Sequence, residues 1–135
     1  MTDLWVDANV LLRFITADPP DLAQRALRLV EQAERGEVTL RLSPLVVAEM
    51  VWVLGGRVYG YSRTEIAEVL ISLVTAEGIA LQEADLVVAA LNSMARANVD
   101  FLDAFLAETA RREGEAVVSF DRDFRRLEVA WVEPE

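Results

Sequence analysis

Short apolar runs and helix-length amphipathic stretches alternate along the whole chain, and that alternation leaves few folds open. LWV at 4–6 reads as a buried strand leading into Asp7, followed by an apolar helix through NVLLRFIT that Asp18-Pro19-Pro20 ends. Leu22, Ala26, Leu29, Val30 and Ala33 then recur at helical spacing up to Gly36, a suitable C-cap. VTLRL at 38–42 alternates as a strand, and Ser43-Pro44 supplies the N-cap and first position of a helix over 44–58, which Gly60 closes. Ser62 with Glu65 fits a capping box opening a helix over 63–75, and Gly78-Ile-Ala-Leu is a short strand. EADLVVAALNSMAR presents Leu86, Val87, Ala90, Leu91 and Met94 on one helical face, and a further helix over 101–113 stops at Gly114. Ala116 to Ser119 is a strand, 121–127 a short helix, and VAWV at 129–132 an edge strand. The pattern predicts an α/β sandwich with a mainly parallel sheet. With 135 residues and no repeat, low-complexity segment or linker, a single domain over 1–135 is expected.

Four carboxylates interrupt the apolar segments: Asp7 in LWVDANVLL, Glu49 in LVVAEMVWVL, Asp103 in VDFLDAFLA and Asp121 in VVSFDRDF. An unpartnered ionised carboxylate costs several kcal/mol or more to desolvate, so acids buried in such surroundings need a salt bridge or a shared cation. The chain contains no His and no Cys, and all thirteen of its basic residues are Arg. Thiolate catalysis, Cys-based zinc sites and the commonest general base are thereby excluded. Any metal is expected to take oxygen ligands, which favours Mg²⁺ or Mn²⁺. Open parallel sheets bind ligands beyond the carboxyl ends of their strands, where Asp7 and Asp121 lie and where Glu49 and Asp103 can reach from the early turns of helices. Such a set can perform phosphoryl chemistry with water activated by the cation. Asn9, Ser43 and Ser119 are near enough in sequence to hold the carboxylates or their waters.

Simpler roles compete at each position. Asp7 alone can cap the helix after it, and Glu49 alone can pair with Arg41 or Arg57. Asp100 and Asp103 compete for the cap of helix 101–113, with Asp100 preferred; Asp121 and Asp123 compete in the same way, one as ligand and one as cap or Arg partner. Trp5, Trp52 and Trp131 lie in apolar runs and are expected in the core or an interface. The net charge of −10 argues against a broadly basic nucleic-acid clamp, but Arg57 with Arg63, Arg111 with Arg112, and Arg122, Arg125 and Arg126 form local clusters. No apolar run reaches the ~18 residues of a bilayer span. The start MTDLWVDANV lacks a basic region and cleavage site, so a cytoplasmic protein is expected.

Taken together, VDANVLLRF, SPLVVAEMVWVL and VDFLDAFLAETARREGEAVVSFDRDFRRL resemble the PIN-domain ribonucleases, in particular the toxins of VapBC-type toxin–antitoxin pairs. The likeness spans nearly the whole chain, and its most specific part is the D-F-x-D-A helix followed by S-F-D-R-D-F. It implies a three-layer α/β/α sandwich with a mainly parallel central sheet of four to five short strands. It implies an acidic tetrad of Asp7, Glu49, Asp103 and Asp121, at once metal-binding and catalytic, supported by Asn9, Ser43, Ser119 and Asp123. Ser119 stands where many members have Thr and keeps the hydroxyl. The implied activity is Mg²⁺- or Mn²⁺-dependent hydrolysis of RNA, such as tRNA, by a homodimer that a cognate antitoxin neutralises. The apolar surroundings of Leu11, Leu12, Phe14 and Ile15 and of Val51, Trp52 and Leu54 are either partner surfaces or core.

Other readings remain beside this one: an RNA-processing PIN nuclease outside any toxin–antitoxin pair, or a metal-stabilised interaction module without catalysis. A haloacid-dehalogenase-type phosphatase needs a second Asp two residues after the first and a later Lys; this chain has Asn9 at that place and no Lys, which also counts against a phospho-accepting receiver domain.

Overall fold

A computed structural model describes residues 2–135. β1 (Thr2–Trp5), β2 (Val38–Leu42) and β3 (Ile79–Leu81) form a parallel sheet in the order β1-β2-β3, with Leu4 opposite Leu40 and Leu40 opposite Ile79. β4 (Val117–Val118) and β5 (Trp131–Val132) pair in parallel as a second ladder. Six helices, α1 (Ala8–Thr16), α2 (Pro20–Glu34), α3 (Pro44–Leu54), α4 (Arg63–Val74), α5 (Ala84–Ala97) and α6 (Phe101–Glu113), flank the strands in a three-layer α/β/α arrangement, and a 3₁₀ helix (Arg122–Leu127) joins β4 to β5. α1 packs on α2 and α3, α2 on β2, α4 on β3 and α5, and α5 on α6.

Local chemistry sets the element boundaries. The Ser62 hydroxyl accepts the Glu65 N–H at 3.1 Å while Glu65 accepts the Ser62 N–H at 2.9 Å, the expected capping box. Gly114 adopts φ +69 after α6, as a left-handed C-cap requires. Gly78, at φ +83, leads into β3 so close to α2 that a Cβ there would overlap the Ala33 carbonyl, which admits no larger residue. The core runs through Leu11, Leu40, Leu42, Val47, Met50, Leu54, Leu70, Leu91, Met94 and Leu127. Side chains of this size contribute roughly 1.5–3 kcal/mol each on full burial.

Three expectations change. The LWV strand is not buried: β1 is the edge of its sheet, all four of its residues are exposed, and Val6 just beyond it enters the core. The third helix ends at Leu54 rather than 58, because Gly55 and Gly56 stop a helix that apolar patterning alone would extend. Trp5 and Trp52 are 60% and 80% exposed, so that of the two places expected for them, core or interface, the core is excluded, while Trp131 is half-buried. Among the described residues no helix is long and apolar enough to cross a membrane.

Candidate functional site

Asp103 lies in the first turn of α6, and Asp121 and Asp123 lie at the start of the 3₁₀ helix that follows β4. Each offers a carboxylate oxygen, and these oxygens fall within 4.8 Å of one another. Asp121 is the cap of its 3₁₀ helix, its Oδ1 accepting the Asp123 N–H at 2.9 Å, which aims both carboxylates from one turn. Ser119 sets that turn: its hydroxyl accepts the Asp121 N–H at 2.9 Å, its N–H reaches the Val132 carbonyl at 3.0 Å, and its carbonyl accepts the Trp131 indole N–H at 2.9 Å. Asp123 also pairs with Arg126 at 2.8 Å.

The electrostatics follow from this crowding. Partial burial pushes the half-buried Asp103 carboxyl above its ordinary value, and the charges of Asp121, Asp100 and Asp123 push it further the same way. Asp100 occupies the N-cap of α6 as expected, but its side chain makes no cap bond; it meets Arg63 at 2.6 Å instead.

The other two expected ligands lie outside the 4.8 Å cluster. Asp7 sits two residues past the carboxyl end of β1 with extended backbone at the N-cap of α1, yet its side chain makes no cap hydrogen bond. Glu49 is exposed in the second turn of α3, and neither its side chain nor that of Asp7 bonds to any described residue. Arg41, one suggested partner of Glu49, pairs with Asp3 at 3.2 Å. Ser43 caps α3 through the Leu45 N–H at 3.1 Å, and Asn9 is exposed in the first turn of α1. α1 packs on α3 and α3 on α6, so the elements bearing Asp7, Glu49 and Asp103 are successive neighbours.

The expectation that all four acids are buried does not hold, since Asp7, Glu49 and Asp121 are exposed. Asp123, expected as a supporting acid, lies in the same cluster as Asp103 and Asp121. The D-R-D spacing was the available signal, because residues two apart across a tight turn can aim at one point.

A second arrangement, legible in the sequence only as a pair of arginines, anchors the far end of the same segment. Arg111, two turns beyond Asp103 on α6, donates Nε to the Glu128 carbonyl at 3.1 Å and also bonds the Leu127 carbonyl. Its third contact is Glu108 at 2.7 Å, whose other oxygen accepts the hydroxyl of buried Ser93 on α5 at 2.7 Å. Burial pushes the Glu108 carboxyl up, but the hydrogen bonds from Ser93 and Arg111 outweigh this and hold it below its ordinary value. One end of α6 thus meets the start of the 3₁₀ helix and the other end ties down its finish. Beside the cluster, a groove of about 860 Å³ between α3, α4, α5 and α6 runs from Trp52 and Tyr61 to Asp103.

Residues 4–130 match the family model of the PIN domain. No curated protein matches the chain. Among solved structures the chain is similar to one in the crystal structure of VapBC2 from Rickettsia felis bound to a DNA fragment from their promoter, with 14% identity, 100% of each chain covered and a TM-score of 0.41.

Proposed function

The chain belongs to the PIN domain family, and on that footing we propose that it is a Mg²⁺- or Mn²⁺-dependent endoribonuclease, the toxin of a type II toxin–antitoxin pair. The observation that carries the reading is the meeting of Asp103, Asp121 and Asp123 from two separate elements within 4.8 Å. The donor set suits a hard divalent ion: every ligand is a carboxylate oxygen. Two oxygens bound to one Mg²⁺ at 2.0–2.1 Å are at most about 4.2 Å apart, so small side-chain rotations close the cluster on it. We assign Asp103 and Asp121 as ligands, Asp123 as a further one, and Asp7 and Glu49 as the acids that complete the site from α1 and α3.

When bound, the ion would supply Lewis acidity, easing deprotonation of a water and offsetting charge on the phosphate. The chain's own contribution is positional. Ser119 and the Asp121 cap fix the 3₁₀ turn, Ser43 fixes the start of α3, and Asn9 stands in the first turn beside Asp7. The reaction is hydrolysis: a water oxygen bonds to phosphorus, one ester P–O bond breaks, and the departing oxygen takes a proton, leaving a phosphomonoester and an alcohol. No side chain of ordinary pKa near 7 is needed, which fits a chain without His.

As a toxin it acts in the cytoplasm as a homodimer held by a cognate antitoxin, with single-stranded or looped RNA such as tRNA as substrate. Two measurements test the reading. Millimolar Mn²⁺ should raise the melting temperature, a stabilisation of about 2.7 kcal/mol at a hundredfold excess over Kd, and EDTA should reverse it. The purified chain should cut RNA with Mn²⁺ and not with EDTA. Absence of both effects sinks the nuclease, and cleavage by a chain whose expression leaves cell growth untouched would instead favour an RNA-processing enzyme.

A further inference from the structure

Phe120 immediately precedes Asp121 and is 78% exposed. A single exposed ring needs no explanation, but an exposed ring grouped with other apolar side chains beside a polar site marks a candidate contact surface. The backbone around it is fixed: Ser119 is bonded to Val132 and Trp131 on one side, and the Asp121 N–H is held by the Ser119 hydroxyl on the other. Val118, two residues earlier at the end of β4, and Val132, its partner in the ladder, are exposed as well. The ring therefore stands on a rigid mount at the end of a small apolar strip, one residue, or about 3.8 Å of chain, from the acid cluster.

Cations flank the same segment. Arg122, the next residue after Asp121, is exposed and pairs with no described residue. Arg125 lies over the Trp131 ring at 6.0 Å. In a chain of net charge −10, these arginines set positive charge close in sequence to the ring and to the acid cluster's own negative charge, where a phosphate can be met. A nucleotide has the complementary form, a flat apolar base and an anionic phosphate on one short tether. A second copy of the chain would bring its own acidic surface to this strip.

We infer that Phe120 is a substrate-binding residue that stacks an unpaired nucleobase of RNA beside the acid cluster, with Arg122 contacting a neighbouring phosphate. This rests on the ribonuclease reading for its setting but is separable from it, because stacking is measured without cleavage. Base–aromatic stacking tolerates all four bases and demands a single strand.

The test is fluorescence anisotropy of a labelled single-stranded RNA in EDTA, using Asp103→Asn as parent; that substitution removes one cluster charge and any cleavage together. Phe120→Ala should weaken binding roughly 5- to 150-fold. Phe120→Trp should preserve or tighten it, and Phe120→Leu, which keeps apolar bulk without a ring, should resemble Ala. Being exposed, the position should leave melting temperatures unchanged. A parent that does not bind, a Leu variant that binds like Phe, equal affinity for duplex RNA, or an Ala variant that changes oligomeric state but not RNA affinity would each overturn the proposal. Binding that depends on Phe120 in a chain whose wild type never cleaves with Mn²⁺ would leave stacking in place and remove the nuclease reading.

Discussion

Asp103 is the residue at which stability opposes the role proposed for it. Its folded pKa is raised from 3.8, first by burial and then by its acidic neighbours, so its charged form is disfavoured in the native state. The resulting penalty is absent below 3.8, where native and unfolded chains are both protonated, and is fully present once pH has risen through the raised folded value. Metal-free Asp103→Asn should therefore melt above wild type at pH 7, the difference closing as pH falls toward 3.8, while any stabilisation by Mn²⁺ is lost. Paired melting curves across that range check it; a variant no more stable than wild type at pH 7 would mean the cluster carries no strain. The same residue scale shows why the burial of the acids was not legible. Asp7 is exposed between buried Val6 and Ala8, and Glu49 is exposed beside buried Met50. Backbone geometry turns successive side chains to different faces, so apolar neighbours in sequence say little about the environment of the acid between them.

Elements were the most readable level, because their ends carry chemistry. Ser43, Ser62, Gly36 and Gly114 marked boundaries through caps and positive φ, and β2 and α6 fall where the sequence placed them. The miss at the end of α3 had its signal in Gly55-Gly56, overlooked beside a strong apolar run. The tie Arg111 makes to the end of the 3₁₀ helix had no local signal, because Leu127 and Glu128 lie 16 and 17 residues away in sequence. Arg111→Met should release the end of the 3₁₀ helix and leave half-buried Glu108 with the Ser93 hydroxyl but no ion-pair partner, costing about 1.5–3 kcal/mol. Amide hydrogen exchange should quicken tenfold or more over 119–127 while α4 is unaffected; unchanged exchange there would show that the tie does not hold the acid-bearing segment.

At the scale of the molecule, parallel strands with helical crossovers were foreseen, but the division of five strands into ladders of three and two was not. β4 and β5 are only two residues long, too short for periodicity to say which strand each pairs with. Composition had already confined the chemistry, since a chain without His, Cys or Lys leaves carboxylates and Arg as its charged groups. The proposal that carboxylates from α1, α3, α6 and the 3₁₀ segment act as one site concerns the whole fold, because no single element holds enough of them. Single-turnover cleavage of one single-stranded RNA with saturating Mn²⁺ tests it most directly, comparing wild type with Asp7→Asn, Glu49→Gln, Asp103→Asn and Asp121→Asn, and with exposed Asp85→Asn as control. The account predicts that each of the four lowers the rate at least a hundredfold, as loss of a charge-stabilising group does, while the control matches wild type. Wild-type rates in both Asp103→Asn and Asp121→Asn would contradict it.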